Sequence, residues 1–184
     1  MSKNIVIFNG SPRPRGNTAA LIDEFTRGAE LAGNTVTRFN LKEMDIRACI
    51  GCFKGGKDPN SPCVQKDDMD KIYPAFREAD IVVFASPMYF WSFTAQLKIA
   101  IDRSFAAMEG ENGFNMDKEG IMLIAAGEDS EKNYAPMIAY YETLLENLNW
   151  KDRGQVFAGD VMEVGDIVGM PCLEEARKLG ASIN

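Results

Sequence analysis

The sequence contains no histidine. Histidine is the general base of Ser-His-Asp triads and Cys-His pairs, and it is a frequent ligand of zinc and non-haem iron. The absence of histidine therefore excludes hydrolases that use such triads or pairs, and it excludes histidine-ligated metal sites. If the chain is an enzyme, we expect a bound cofactor to carry its reactive chemistry.

Positive charge is also scarce. The chain has 20 Lys and Arg against 27 Asp and Glu, a net charge of −7, and the basic residues form no cluster. A nucleic-acid backbone is bound chiefly by clustered Lys and Arg, so neither nucleic acid nor an anionic membrane surface is expected as the main partner.

Long apolar runs are missing as well. No stretch reaches the length of a transmembrane helix, and residues 1–4 lead into the first apolar run without the features of a signal peptide. We therefore expect a cytoplasmic protein in which the four cysteines are free thiols or ligands rather than disulfides. The 184 residues show no repeat or linker, which predicts a single domain over residues 1–184.

Short apolar runs alternate with segments of helical periodicity. Such alternation is typical of a parallel sheet covered by helices. Strands are predicted near residues 5–8, 36–39, 81–85, 120–126 and 155–161, and helices near 19–32, 69–78, 94–105, 135–148 and 172–179. The pattern fits an α/β fold with a doubly wound, five-stranded parallel sheet in the order 2-1-3-4-5. In such sheets ligands bind beyond the carboxyl ends of the strands, where the order reverses.

The first loop, residues 9–18, joins a buried strand to a helix. The free N–H groups of a helix start and its positive dipole end can hold a phosphate, and Ser11, Asn17 and Thr18 add side-chain donors. The loop lacks both the P-loop lysine and the G-x-G-x-x-G pattern of dinucleotide sites. One terminal phosphate is therefore the expected ligand, with an ordinary strand-to-helix turn as the alternative.

The turn after the third strand, residues 87–91, contains three large aromatic rings. A flat ligand would suit this turn, whereas packing on neighbouring helices or a partner subunit is the alternative. Together, a monophosphate loop and an aromatic turn at one switch point describe a site for flavin mononucleotide (FMN). Backbone amides near Gly127 could donate to the pyrimidine end of the flavin. The predicted cofactor-binding residues are Ser11, Arg13, Asn17, Thr18, Pro87, Met88, Tyr89, Phe90 and Gly127. No catalytic side chain or metal ligand is assigned.

Three blocks of sequence resemble a known family. Residues 10–18, 86–103 and the cysteine loop with Cys49, Cys52 and Cys63 resemble the NADPH-dependent FMN reductases and related iron-sulfur flavoproteins of the flavodoxin-like superfamily. The likeness covers most of residues 1–105 and is looser beyond Gly127. It implies a flavodoxin-like fold, bound FMN, NADH or NADPH as electron donor, and a homodimer or homotetramer.

Two functions follow from this interpretation. The first is an FMN-dependent NAD(P)H oxidoreductase that passes electrons to a small acceptor such as a quinone, a nitroaromatic compound or a free flavin. The alternative is a non-catalytic electron carrier of the flavodoxin or iron-sulfur flavoprotein type, and the acidic charge would suit its docking to basic partners.

The cysteine loop departs from the iron-sulfur members of the family. A [4Fe-4S] cluster usually requires four thiolates, and this loop supplies three. The distant Cys172 would have to supply the fourth, so we expect no cluster. The three thiols could instead hold a metal with an exogenous ligand, act in redox sensing, or remain free.

Overall fold

Five parallel strands form one sheet in the order β2-β1-β3-β4-β5, which confirms the predicted topology. The computed structural model describes residues 2–109 and 116–184. The central strands β1, β3 and β4 are almost entirely buried, because each is a run of apolar residues with helices on both faces. The strands span Asn4–Asn9 (β1), Thr35–Asn40 (β2), Ile81–Pro87 (β3), Glu119–Ala125 (β4) and Lys151–Ala158 (β5).

Five α-helices cover the sheet in two groups. Helices α2, α3 and α4 pack on one face, and α1 and α5 pack on the other. The helices span Asn17–Leu31 (α1), Met69–Glu78 (α2), Ala95–Met108 (α3), Glu131–Leu148 (α4) and Pro171–Ala181 (α5). None of the helices in the described ranges is both long and apolar enough to cross a bilayer.

Helices α1 and α5 approach each other at two glycines. A Cβ atom on Gly28 would lie 2.0 Å from the carbonyl oxygen of Arg177, and one on Gly180 would lie 2.1 Å from the carbonyl oxygen of Phe25. Any side chain at either position would have to push the two backbones apart. The pair therefore fixes α1, whose first turn reaches the predicted phosphate site.

The predicted bounds of two elements are wrong. Strand β5 begins at Lys151 and ends at Ala158, not at residues 155 and 161. It is an edge strand that pairs only with β4, so polar residues are tolerated at its start, and Asp160, with φ +56°, turns the chain away after its end. Helix α4 begins at Glu131, four residues before the predicted start.

Residues 44–68 form a long loop without regular secondary structure, and this cysteine loop contains Cys49, Cys52 and Cys63. Asp68 is the N-cap residue of α2, but its side chain makes no capping hydrogen bond. The Asp67 carboxylate accepts from the backbone N–H of Met69 (3.1 Å) and forms a buried ion pair with Arg103 of α3 (2.6 Å). The loop is thereby attached to α3.

Lys118, just before β4, is a buried cation. Its ammonium donates to the carbonyl oxygens of Arg77 (3.0 Å) and Ala79. Burial lowers the pKa of Lys118 from 10.5 to about 8, although the negative charge of Asp80 acts to raise it. Between these pH values the unfolded chain binds more protons than the folded chain, so this group makes stability rise with pH.

We therefore expect the free energy of unfolding of the wild-type protein to rise by roughly 1 to 3 kcal/mol between pH 8 and 10.5, relative to that of Lys118→Met over the same range. Urea denaturation of both proteins at several pH values measures the difference, and titrations common to the two chains cancel. Parallel stability curves would contradict the assignment.

Candidate functional site

The loops that follow β1, β3, β4 and β5 enclose a pocket of about 360 Å³ at one edge of the sheet. The wall contains eight of the nine residues predicted from the sequence: Arg13, Asn17, Thr18, Pro87, Met88, Tyr89, Phe90 and Gly127. The ninth, Ser11, is buried and does not line the pocket. The topology thus brings three separate sequence blocks together.

The start of α1 is uncapped. Its N-cap residue is Gly16, which has no side chain to accept a hydrogen bond, and no acidic residue lies in the first turn. The N–H groups of this turn therefore keep their partial positive charge. Arg13 is the only charged residue among the described residues of the pocket wall, so the wall is suited to an anionic group.

Ser11 shapes the first loop. Its hydroxyl accepts from the N–H of Arg13 and donates to the carbonyl of the same residue, both at 3.2 Å, while its own N–H donates to the side chain of Asn9. No hydrogen bond within the described residues uses the hydroxyl of Thr18, which lines the pocket. Thr18 is therefore a better candidate for ligand contact than Ser11.

Gly10 is held against the start of α3. The Thr94 hydroxyl donates to the Gly10 carbonyl (2.8 Å), and a Cβ atom on Gly10 would lie 2.6 Å from that hydroxyl oxygen. Thr94 is also the N-cap of α3 and accepts from the N–H of Leu97 (3.4 Å). The first loop and the segment after the aromatic turn therefore form one connected unit.

The aromatic turn is a tight hairpin. Tyr89 and Ser92 exchange two backbone hydrogen bonds, of 3.0 and 3.1 Å, around Phe90 and Trp91. Both central residues have positive φ, +48° and +59°, a conformation that costs a non-glycine residue about 1 to 3 kcal/mol. Backbone strain of this kind is concentrated at functional sites.

The three rings of this turn do not share one environment. Tyr89 and Phe90 line the pocket, but Phe90 is 92% exposed. Trp91 does not line the pocket and donates from its indole nitrogen to Asn133 (3.2 Å). A cluster of three rings inside the pocket, as the sequence suggested, is therefore not present.

The sequence did not identify the loop after β5 as part of the site. Met162 lines the pocket, and its carbonyl accepts from the Arg13 guanidinium (2.7 Å). The amide of Asn17 donates to the carbonyl of Glu163 (2.9 Å) and accepts from the N–H of Gly165 (3.2 Å). The sequence analysis assigned residues up to 161 to β5 and so did not treat the start of this loop as a loop. The switch-point rule could have found it, because it places the carboxyl end of β5 at this edge.

The side chain of Tyr134 forms a hydrogen bond with the loop after β4. The Tyr134 hydroxyl donates to the Asp129 carboxylate (3.2 Å), and burial together with that negative charge raises the pKa of Tyr134. The phenol therefore stays protonated and keeps donating. Gly127 lies against the loop after β5, since a Cβ atom there would lie 2.1 Å from the sulfur of Met162.

The cysteines lie away from this pocket. Cys49 is exposed, Cys52 is half-buried and Cys63 is buried, and all three line a separate cavity. Cys172 is buried in the core on the opposite face of the sheet from Cys63. No three His, Cys, Asp or Glu side chains within residues 2–109 and 116–184 are grouped closely enough to hold a metal ion.

Known proteins are similar to this chain in sequence. The family model of the NADPH-dependent FMN reductases matches residues 3–135. An iron-sulfur flavoprotein of Archaeoglobus fulgidus is 31% identical over 182 residues, covering 95% of this chain and 76% of the relative.

Solved structures agree on the fold. An NAD(P)H:quinone oxidoreductase from Methanothermobacter marburgensis has a TM-score of 0.74 at 20% identity, covering 98% of this chain and 96% of the other. An FMN-dependent NADH-azoreductase from Bacillus anthracis, in complex with FMN, has a TM-score of 0.70 at 14% identity, covering 96% and 97%. These likenesses confirm the flavodoxin-like architecture. The family match over residues 3–135 establishes that the chain belongs to the NADPH-dependent FMN reductase family of oxidoreductases.

Proposed function

We propose that the pocket binds FMN and that the chain is an NAD(P)H oxidoreductase that reduces small acceptors such as quinones, azo or nitroaromatic compounds, or free flavins. The observation that carries this proposal is the uncapped start of α1 beside Arg13, in the same pocket as the hairpin of Tyr89 and Phe90. One end of the pocket suits a phosphate and the other a flat ring. We further propose that residues 1–184 act as one FMN-binding domain.

The residues present fit the phosphate of FMN. The first turn of α1 offers N–H groups without a capping side chain, and Arg13 adds a positive charge. The close contact of Gly10 with Thr94 leaves no room for a side chain at that position, so the loop backbone keeps its shape beside the helix start. A ligand with a second phosphate, such as FAD, would find no matching loop.

Bound FMN would supply the hydride chemistry at its ring, and the protein would orient and shield it. Tyr89 and Phe90 would border the ring, and the backbone near Gly127 would face its polar edge. The described residues of the wall include no Asp, Glu, His, Cys or Lys side chain. We therefore expect solvent rather than a side chain to exchange the proton.

Absorbance spectra of the purified protein, before and after anaerobic addition of NADPH or NADH, test the proposal directly. After FMN is added and unbound FMN is removed by gel filtration, we expect the protein to keep a flavin spectrum, to be bleached by at least one nicotinamide nucleotide, and to recover when a quinone such as 1,4-naphthoquinone is supplied. Protein that is colourless after this step would overturn the cofactor assignment. Flavin that no nicotinamide reduces would overturn the enzyme assignment.

The exposed ring of Phe90 favours a second function, an electron carrier. A side chain that is 92% exposed at the pocket rim could contact a protein partner, including a second copy of this chain. Steady-state oxidation of NAD(P)H in the presence of a small acceptor distinguishes the two functions. An enzyme oxidises NAD(P)H continuously with a small acceptor, whereas a carrier requires a separate reductase.

We also propose that the chain holds no [4Fe-4S] cluster. The three thiols of the cysteine loop are one short of a ligand set, and Cys172 lies across the sheet from Cys63. We expect iron and acid-labile sulfide near zero in anaerobically purified protein, with Cys63→Ser as the matched control. About four of each per chain, lost in the control, would contradict this expectation.

A further inference from the structure

The loop after β5, residues 159–170, has two buried anchors and an exposed segment between them. Val161 is buried and donates from its backbone N–H to the carbonyl of Ala126 (2.9 Å), and Ile167 is buried in the core beside α1 and α5. Residues 162–166 are all exposed. Burial therefore fixes the two anchors but not the segment that joins them.

Hydrogen bonds give residues 162–166 a shape of their own. The Asp166 carboxylate accepts from the backbone N–H groups of Met162 (2.9 Å) and Glu163 (2.7 Å). Gly165 turns the chain with φ +100°, a conformation that favours glycine. The segment is therefore a preformed turn, and a small number of contacts from outside the loop suffices to position it.

Two side chains from the first loop and α1 make contacts of this kind. The Arg13 guanidinium donates to the carbonyl of Met162 (2.7 Å). The Asn17 amide donates to the carbonyl of Glu163 (2.9 Å) and accepts from the N–H of Gly165 (3.2 Å). Asn17 is buried whereas Arg13 is exposed. Asn17 is therefore the stronger attachment, because hydrogen bonds shielded from water contribute more.

The Asn17 amide is used by the turn at both of its polar atoms. One planar group places a donor against a carbonyl and an acceptor against an N–H, a combination that a carboxylate does not offer. The hydroxyl of the next residue, Thr18, lines the same pocket and makes no hydrogen bond to the described residues. Thr18 is thus available to a ligand, while Asn17 is attached to the loop.

The position of the turn matters at the ring end of the pocket. Met162 lines the pocket, and a Cβ atom on Gly127 would lie 2.1 Å from its sulfur, so the thioether lies directly on the backbone of the loop after β4. In the proposed function, that backbone faces the polar edge of the flavin ring. A turn released from Asn17 would let Met162 leave this wall.

We propose that Asn17 is a positioning residue, which holds the loop after β5 so that Met162 closes the ring end of the pocket, and that it does not contact the phosphate. This inference rests on the proposed function, because the role is exercised on bound flavin. Loss of the Asn17 amide therefore weakens the binding of the flavin ring whether or not a phosphate is attached to it.

Fluorescence titrations with FMN and with riboflavin, which lacks the phosphate, distinguish a positioning residue from a phosphate ligand. We expect Asn17→Ala to weaken both flavins roughly three- to tenfold, so that the ratio of the two dissociation constants stays within about twofold of wild type. Thr18→Val should weaken FMN roughly tenfold or more and riboflavin little.

Asn147→Ala supplies the matched control, since it makes the same change on an exposed residue of α4 outside the pocket. Both of its affinities should equal those of wild type. A preference for FMN that falls in Asn17→Ala as it does in Thr18→Val would overturn the proposal, and so would unchanged affinity for both flavins. Asn17→Ser, which replaces the amide by a shorter hydroxyl, gives the same comparison should Asn17→Ala fail to fold.

A second measurement needs no flavin. The heteronuclear NOE of backbone N–H groups in ¹⁵N-labelled protein reports motion on the picosecond-to-nanosecond timescale. We expect the values for residues 163–166 to fall in Asn17→Ala and to match wild type in Thr18→Val. Unchanged values in Asn17→Ala would overturn the positioning role even if flavin binding weakened. Wild-type protein that binds neither flavin would instead overturn the proposed function, so the two failures are distinguishable.

Discussion

Replacing Arg103 with methionine is expected to lower the free energy of unfolding by about 3 to 5 kcal/mol, because it leaves the buried Asp67 carboxylate with only the more exposed Arg47 guanidinium, 3.6 Å away, as a counter-ion. Both side chains are 1% exposed, and the two guanidinium nitrogens lie 2.6 and 3.0 Å from the two carboxylate oxygens. Urea denaturation measures the loss.

Arg103 also joins the two ends of the cysteine loop. Its guanidinium donates to the carbonyl of Arg47 (2.7 Å) near the start of the loop and to that of Gln65 (3.4 Å) near its end. Without these bonds the loop should separate from α3. We therefore expect the buried Cys63 thiol to react faster with a disulfide reagent in Arg103→Met than in wild type.

Lys98→Met is the matched control on the same helix. It breaks the Lys98–Asp102 ion pair, whose side chains are 48% and 43% exposed. We expect it to lower the free energy of unfolding by about 0.5 kcal/mol or less. Combining Arg103→Met with Asp67→Leu should cost less than the sum of the two single changes, since no buried charge remains. Equal losses in Arg103→Met and Lys98→Met would contradict the role of the buried pair.

The same pair gives a pH dependence. Burial alone raises the pKa of Asp67, but hydrogen bonds from Arg103 and from the N–H groups of Arg47 and Met69 outweigh it, so the pKa is lowered from 3.8. The stabilisation is therefore complete above that ordinary value and is lost as the pH falls through the lower folded-state pKa. The stability difference between wild type and Arg103→Met should shrink in acid.

Replacing Thr18 with valine is expected to weaken FMN binding by about 1.5 to 3 kcal/mol, or roughly 10- to 150-fold. Valine has nearly the same shape but cannot donate to a phosphate. Thr18 lines the pocket beside the uncapped start of α1, and its hydroxyl makes no hydrogen bond to the described residues. Fluorescence titration of the purified protein with FMN measures the affinity.

Thr26→Val provides the control, since it makes the same chemical change on α1 more than two turns away from the pocket. Its FMN affinity should equal that of wild type. If Thr18→Val also binds FMN as tightly as wild type, the phosphate does not contact this hydroxyl and lies elsewhere.

The amino-acid sequence determined the sheet and its functional edge. Short apolar runs such as residues 5–8 and 81–85 identify central strands, because a strand that helices cover on both faces must be apolar throughout. The repeat of Leu21, Phe25 and Ala29 identified α1, since residues four apart share a helix face. These local patterns sufficed to predict the strand order and to bring the loops after β1, β3 and β4 to one edge.

Only the tertiary structure decided which side chains meet across long sequence separations. Asn17 bonds to Glu163 and Gly165, and Arg103 pairs with Asp67, yet neither contact leaves a periodic signal in the chain. Such contacts depend on how whole helices and loops pack, and the hydrophobic pattern specifies faces rather than individual polar partners. The sequence did not show the exposure of Phe90 or the unpaired indole of Trp150 for the same reason, because the burial of a ring depends on the neighbours that folding places around it.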